Sequence, residues 1–259
     1  MSIITLISDW KKNDYYLGAI KGKLLSHLPD SQIIDISHEV PSYNIAVGAF
    51  LLKHCFQQYP KNTVHIVCIK TDVSPENPCL IAEYKEHLFI GSDNGFFSLL
   101  KEDDEIKVYR VKNTWIYEST FPELDIFSEI AIALVKNSDI NELAEETTEF
   151  NENIPYRPAI DNETITGSII YIDSYQNAVA NISRDLFERI GNKRPFEIFI
   201  QSHHYKVTKI NKRYSETSPG ELLALFNNAD LLEIAIQNGN AKDLLNLKIG
   251  SVIRVKFKS

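Results

Sequence analysis

The sequence is poor in cysteine: 259 residues contain three (Cys55, Cys68 and Cys79), an odd number with no close pairing. A disulfide framework needs paired cysteines and an oxidising compartment, so these read as buried, reduced thiols of a cytoplasmic protein. None of the cysteine spacings suits zinc, and no metal is expected. Long apolar runs are also absent. Nothing approaches the about 20 apolar residues that span a bilayer. The run Ile3–Ile7, with no basic stretch before it, is too short for a secretory leader, so no membrane partner is expected. Positive charge is scarce: 27 Lys and Arg stand against 35 Asp and Glu, a net charge of -8. A nucleic-acid backbone calls for a basic surface, so nucleic acid is not expected as a partner either. There is no internal repeat and no low-complexity segment.

What is present is ordinary globular material. Apolar residues make up 44% and charged residues 24%, enough for a sizeable core in one or two domains. The first half alternates two patterns. Short apolar runs (Ile3–Ser8, Ile33–Ile36, Val64–Ile69) read as buried parallel strands. Between and after them, apolar residues at helical spacing predict helices over Asp14–Leu28, Ile45–Phe56 and Ile126–Lys136. Such alternation implies right-handed crossovers and a mostly parallel sheet covered on both faces. From Glu142 the texture turns acidic and polar, and Pro155 and Pro158 interrupt it, as in a linker. After Gly167 short strand candidates follow at Ser168–Ile172, Glu197–Ile200, Tyr205–Ile210, Leu231–Ile236 and Ser251–Lys256, a pattern for a small β-barrel or sandwich. The expected fold class is therefore α/β, with an N-terminal domain over 1–150, a linker over 151–164 and a smaller β-barrel-like domain over 165–259.

Polar clusters fall where strands end, the place where open α/β sheets bind ligands. Ser8-Asp9-Trp10 to Asp14 follows the first strand. A carboxylate here can take two hydrogen bonds from a ribose diol, while Asp14 or Asn13 can equally be a helix N-cap. Asp35-Ile36-Ser37-His38 closes the second strand, and His38 is either a general base or a satisfied loop histidine. Ser92-Asp93-Asn94-Gly95 reads as a tight turn before a helix. Tyr171-Ile172-Asp173-Ser174-Tyr175-Gln176-Asn177 ends a later strand; its aspartate can hold an amino group and its aromatic can stack on a purine, or the segment is an Asx-type turn.

Each cluster is weak singly, but their order is informative. Asp9-Trp10 with Asp14, Asp35 to His38, Asp93-Asn94-Gly95, Thr120-Phe121, Arg157-Pro158, Tyr171-Ile172-Asp173 with Asn177 and Asn181, and Leu232-Glu233-Ile234-Ala235 with Gly239 and Ala241 occur in one series. Over nearly the whole chain this series resembles the S-adenosylmethionine hydroxide adenosyltransferases, relatives of the fluorinating and chlorinating enzymes. The resemblance implies an N-terminal α/β domain, a C-terminal β-barrel-like domain and a homotrimer. It implies a ligand, S-adenosylmethionine or adenosine, lying between the N-terminal domain of one subunit and the C-terminal domain of its neighbour. The reaction it implies is displacement of methionine from C5′ by water or halide, with no metal and no separate cofactor. Carried over by motif, Asp9 holds the ribose hydroxyls, Tyr43 lies beside the ribose, and Phe121 flanks the reacting carbon. Asp173 holds the methionine amino group, Tyr175 and Asn177 contact adenine, Asn228 meets the methionine carboxylate, and Ala241 offers backbone to the adenine edge.

The reacting positions depart from the pattern. Where hydrolytic members carry an aspartate and an arginine, this sequence has Lys70 and Asn77; where they carry a histidine after the Thr-Phe pair, it has Pro122. Glu123 beside it is anionic and would repel halide. A lysine ammonium about 5 Å from a sulfonium costs about 3 kcal/mol at an effective dielectric of ~20, roughly a hundredfold in affinity. An ion pair between Lys70 and Glu123 across the site would neutralise that cost. The sequence thus implies altered or lost catalysis, or alternatively a non-catalytic nucleoside-binding or trimeric scaffold protein.

Overall fold

A computed structural model describes residues 2–102, 104–112 and 118–258. The chain divides into two compact units, residues 1–155 and 156–259.

In the first unit, β1 (Ile3–Ser8), β2 (Gln32–Ser37), β3 (Val64–Cys68), β4 (Cys79–Tyr84), β5 (His87–Ser92), β6 (Lys107–Val111) and β7 (Ala144–Thr147) form one sheet in the order β2-β1-β3-β5-β4-β6-β7. The side from β2 to β5 is parallel, as the alternating pattern predicts. From β5 to β7 every pairing is antiparallel, which the sequence did not announce. The reason is local. The β4–β5 hairpin turns through Lys85 (φ 48°) and Glu86 (φ 61°), both left-handed. Two-residue hairpin loops favour that geometry, but usually advertise it with Asn or Gly.

Alternate residues of β1 face opposite sides. Ile4 and Leu6 pack with Leu17, Ile20 and Leu24 of α1 (Tyr15–His27) and with Ile126, Phe127 and Ile130 near α4 (Ser128–Val135). The 17, 20, 24 spacing gives α1 one apolar face. Helices α2 (Ile45–Lys53) and α3 (Phe96–Leu100) pack against each other. Thr5 pairs in register with His65, and His65 with Phe89. Asn44 caps α2 by accepting from the Val47 N–H at 3.1 Å. Asp14 occupies the N-cap position of α1 but accepts from the Lys11 N–H at 3.1 Å, outside the helix. The short α5 (Ile140–Leu143) leads into β7. Asn151 and Asn153 are bonded to Asp93, Asn94 and Ser98. All three cysteines are free; Cys68 and Cys79 are buried and Cys55 partly so.

The second unit holds β8 (Ala159–Asp161), β9 (Thr164–Ile172), β10 (Ala178–Ser183), β11 (Phe196–Ile200), β12 (Ser202–Val207), β13 (Ile210–Asn211), β14 (Leu222–Phe226), β15 (Leu231–Ile236) and β16 (Val252–Phe257). Their order is β12-β11-β16-β9-β10-β15-β14-β13, with β8 paired to β9. Strand β12 comes into contact with β14, so the sheet curls towards a barrel. Strand β16 shows how the sequence does this: Ile253, Val255 and Phe257 are buried while Val252, Arg254 and Lys256 are exposed. Helix α6 (Arg184–Gly191), capped by Ser183, lays Phe187 among Phe196, Phe226 and Phe257 with ring centroids 5.0–5.4 Å away. A last turn, α7 (Ala241–Leu244), is capped by Asn240.

Candidate functional site

The parallel strands β1 and β3 end side by side, and the Asp9 N–H still bonds the Cys68 carbonyl at 3.1 Å. Just beyond, Asp9 Oδ2 accepts the backbone N–H of Tyr43 at 2.8 Å and of Lys70 at 3.1 Å. One carboxylate thus ties together the loops after β1, β2 and β3, while its Oδ1 bonds nothing among the described residues. Tyr43 and Lys70 both adopt left-handed backbone (φ 64° and 47°). That conformation is uncommon for side chains of this size, and here it is held in place from outside. Asn94 donates to the carbonyls of Ile69 (2.9 Å) and Lys70 (3.1 Å) and caps Phe96 N through its Oδ1.

These loops and the segment before α4 enclose a cavity of about 730 Å³ lined by Asp9, Trp10, Tyr43, Lys70, Thr71, Phe121, Pro122 and Glu123, among others. The volume lies within the range of small-molecule sites. Its aromatic wall is continuous: Trp10 lies 5.9 Å from Tyr16, and Tyr16 lies 5.0 Å from Phe121 in edge contact. Behind it, His38 is buried, 2.6 Å from Ser8 Oγ and 3.3 Å from Asp35, with Trp10 stacked on its ring at 5.2 Å. Ser8 itself donates to the Trp10 carbonyl, so His38 supports the wall through Nδ1, while its buried Nε2 and Asp35 Oδ1 lie side by side without a hydrogen bond in good geometry. The Lys21 ammonium and His38 hold the Asp35 carboxyl below its ordinary range against the opposing effect of burial.

Glu123 opens a π-type turn, Glu123–Phe127, that runs into α4. Such turns recur at functional sites. Its side chain is 4% exposed, accepts a hydrogen bond from the Thr71 hydroxyl, and is pushed up in pKa by burial and by the nearby Asp9 charge. The buried indole N–H of Trp10 lies near this carboxyl but meets no acceptor in good geometry. The ion pair expected between Lys70 and Glu123 does not form. Thr71, one residue along, occupies the carboxyl, and Lys70 stays exposed, with no ion pair among the described residues. A hydrated ammonium avoids the desolvation that burying the pair would cost.

Of the residues singled out from sequence, Asp9, Tyr43, Lys70, Phe121, Pro122 and Glu123 come together here. Asn77 does not. It lines a separate polar cleft of about 230 Å³ with Lys70, Asp72, Asn94, Asn151, Glu152 and Asn153. Asp173, Tyr175 and Asn177 share a cavity of about 710 Å³ in the second unit with Arg213, Tyr214 and Asn238. Asp173 accepts from the Asn177 backbone at 2.8 Å and its side-chain amide at 3.2 Å, so the carboxylate is tied across the β9–β10 turn and already oriented, by bonds to the fourth residue on and not by an Asx-turn. Asn228 is exposed in the β14–β15 turn, and Ala241 is buried at the start of α7; neither lines that cavity. Sequence reasoning missed Thr71 and Tyr16. A hydroxyl next to Lys70 and an aromatic two residues after Asp14 are too common to stand out. Among the described residues no group of three or more His, Cys, Asp or Glu could hold a metal ion, and no helix is long and apolar enough to cross a membrane.

Comparison with known proteins agrees with the geometry. Residues 4–144 match the profile described as the SAM hydroxide adenosyltransferase N-terminal domain, and residues 167–254 match its C-terminal domain. A protein of Methanocaldococcus jannaschii named (R)-S-adenosyl-L-methionine hydrolase is 29% identical over 264 residues, covering 95% of this chain and 93% of its own. One of the same name from Thermus thermophilus is 23% identical, covering 98% and 100%. The crystal structure of an uncharacterized conserved protein from Thermotoga maritima superposes with a TM-score of 0.88 at 24% identity, covering 98% of this chain and 99% of its own, a likeness of fold.

Proposed function

The chain belongs to the SAM hydroxide adenosyltransferase family, and from that premise we propose that its first-unit cavity holds the adenosyl part of S-adenosylmethionine or of a related nucleoside, with the hydrolytic chemistry altered or lost. The observation that carries this reading is Asp9. Its carboxylate, just past the end of β1, is fixed by two backbone N–H groups from the loops after β2 and β3 and leaves one oxygen free beside a cavity of ligand size. A ribose diol can donate to such an oxygen in a charge-assisted bond. The aromatic wall of Trp10, Tyr16 and Phe121 supplies apolar contact for the rest of the nucleoside.

The altered chemistry rests on three positions. Lys70 and Pro122 line the cavity where the resemblance places an aspartate and a histidine, and Asn77 lies in the neighbouring cleft where it places an arginine. Proline has no titratable group and asparagine no charge, so neither can act as a general acid or base. The same loss supports the second reading, a nucleoside-binding or scaffold protein without turnover. In both readings Asp173, Tyr175 and Asn177 belong to the ligand site, and the protein acts as a homotrimer.

The relatives are named for the (R)-sulfonium epimer, so the test uses both epimers. Purified protein is incubated with each, and adenosine and methionine are followed by chromatography; adenosine binding is measured by calorimetry. Release of both products supports an adenosyl-cleaving enzyme. Binding without release supports nucleoside binding without turnover, and absence of both overturns the adenosyl reading and leaves only the scaffold role. Sedimentation at about three times the 29.6 kDa chain mass tests the trimer.

A further inference from the structure

Among the described residues Glu123 is the one buried carboxyl in the cavity wall, and it has no cationic partner there. It is 4% exposed, and among the described residues it forms no ion pair. Its place is fixed: the Ser128 hydroxyl donates to its carbonyl at 2.8 Å, and its side chain takes the Thr71 hydroxyl. The groups that face it are Asp9, Trp10, Thr71, Tyr16 and Cys68. None supplies positive charge. Asp9 is of like charge, the neighbouring Tyr15 pushes Tyr16 up in pKa, and burial pushes up Cys68, so both stay protonated at neutral pH. Two exposed ammoniums, Lys11 and Lys70, also line the cavity, and neither pairs with Glu123 among the described residues.

A buried carboxyl without a cation is costly, and either stays protonated or waits for a counter-charge. Resting on the adenosyl reading above, we propose that Glu123 is the counter-charge for a cationic centre attached at C5′ of the ligand, so that the site selects sulfonium or ammonium adenosyl compounds over neutral thioethers. The wall then recognises the ligand's charge through Glu123 and its sugar through Asp9. Where burial leaves a proton on Glu123, binding of the cation draws it off; binding of a neutral thioether does not.

Two probes isolate the charge. Sinefungin carries an ammonium where S-adenosylmethionine carries the sulfonium and has no sulfur leaving group; S-adenosylhomocysteine carries a neutral sulfur. Calorimetry on the full chain from pH 5.5 to 8, in buffers of different ionisation enthalpy, gives affinity and proton release together. The expected result is a preference for sinefungin of about tenfold at pH 8. It should shrink as pH falls and Glu123 protonates, with proton release on sinefungin binding alone. Glu123→Gln brings the affinity ratio towards one and abolishes the proton release. Equal affinity for the two probes in the native protein, or the same ratio in E123Q, overturns the proposal while leaving the adenosyl reading standing. The pH series needs no variant, so a poorly folding E123Q does not shield the idea. Failure of adenosine itself to bind overturns the adenosyl reading and this proposal with it.

Discussion

His65 lies at the centre of the first sheet, on β3 between β1 and β5, fully shielded from water. Its Nδ1 is 2.7 Å from the Thr5 hydroxyl and its Nε2 is 3.1 Å from His87 Nδ1, while Phe89 stacks on it at 4.7 Å. A neutral imidazole donates from one nitrogen and accepts at the other, so it satisfies both bonds. Burial, and then the neighbouring His87, push its pKa from the ordinary 6.5 down to about 3. The unfolded chain therefore takes up a proton at His65 below pH 6.5, and the folded chain does not until about pH 3. Stability from this group is complete above pH 6.5 and falls as pH drops through that window. At pH 5 the gap of roughly 1.5 units is worth about 2 kcal/mol. For a unit of this size, about 2 kcal/mol corresponds to a loss of roughly 4–8 °C in Tm. The check is thermal unfolding of the native chain and of His65→Gln at pH 7 and pH 5. The variant is expected to be less stable at pH 7, yet to lose about 2 kcal/mol less on acidification. Because His87 is also pushed down by burial, both proteins retain some acid sensitivity. Equal acid losses in the two would refute the argument that a buried neutral His65 sets the slope.

Three further outcomes follow from packing and from the site. Gly95 sits at φ +86°, and a Cβ there would meet the Asn153 amide nitrogen at 2.3 Å, so Gly95→Ala should cost about 1–3 kcal/mol in urea unfolding. Phe187→Ala empties the aromatic cluster of the second unit and should cost about 3–4 kcal/mol, read by the same assay. Asp9→Asn keeps an acceptor for the Tyr43 and Lys70 N–H groups but removes the charge that a ribose diol would meet; adenosine affinity measured by calorimetry should fall about tenfold.

What the sequence disclosed and what it hid divide along physical lines. Strands β1 and β3 are buried on both faces, so they read as unbroken apolar runs. Helix α1 has one buried face, so its 3.6-residue period is visible. The β4–β5 hairpin escaped because Lys85 and Glu86 take a conformation that their chemistry does not signal. The family resemblance put Asp9, Tyr43, Lys70, Phe121 and Glu123 in one place, and the cavity after β1 and β3 contains them. The partner of Glu123 was not legible, because an ion pair with Lys70 and a hydroxyl bond with Thr71 suit the same residues equally well. Only the fold decides which neighbour reaches the carboxyl, and whether the lysine stays in water.

The three thiols carry a practical consequence. Cys68 ends the strand beneath the cavity, Cys79 opens β4, and both are wholly shielded; burial raises both, and lifts half-exposed Cys55 to about 11. Since the thiolate is the reacting form, the folded chain is nearly mute to alkylating dyes. Any label that arrives at Cys68 or Cys79 has caught the sheet ajar. The native sequence is thus its own clock for how often the floor of the cavity opens, and ligand protection of Cys68 from the dye would time that opening against occupancy.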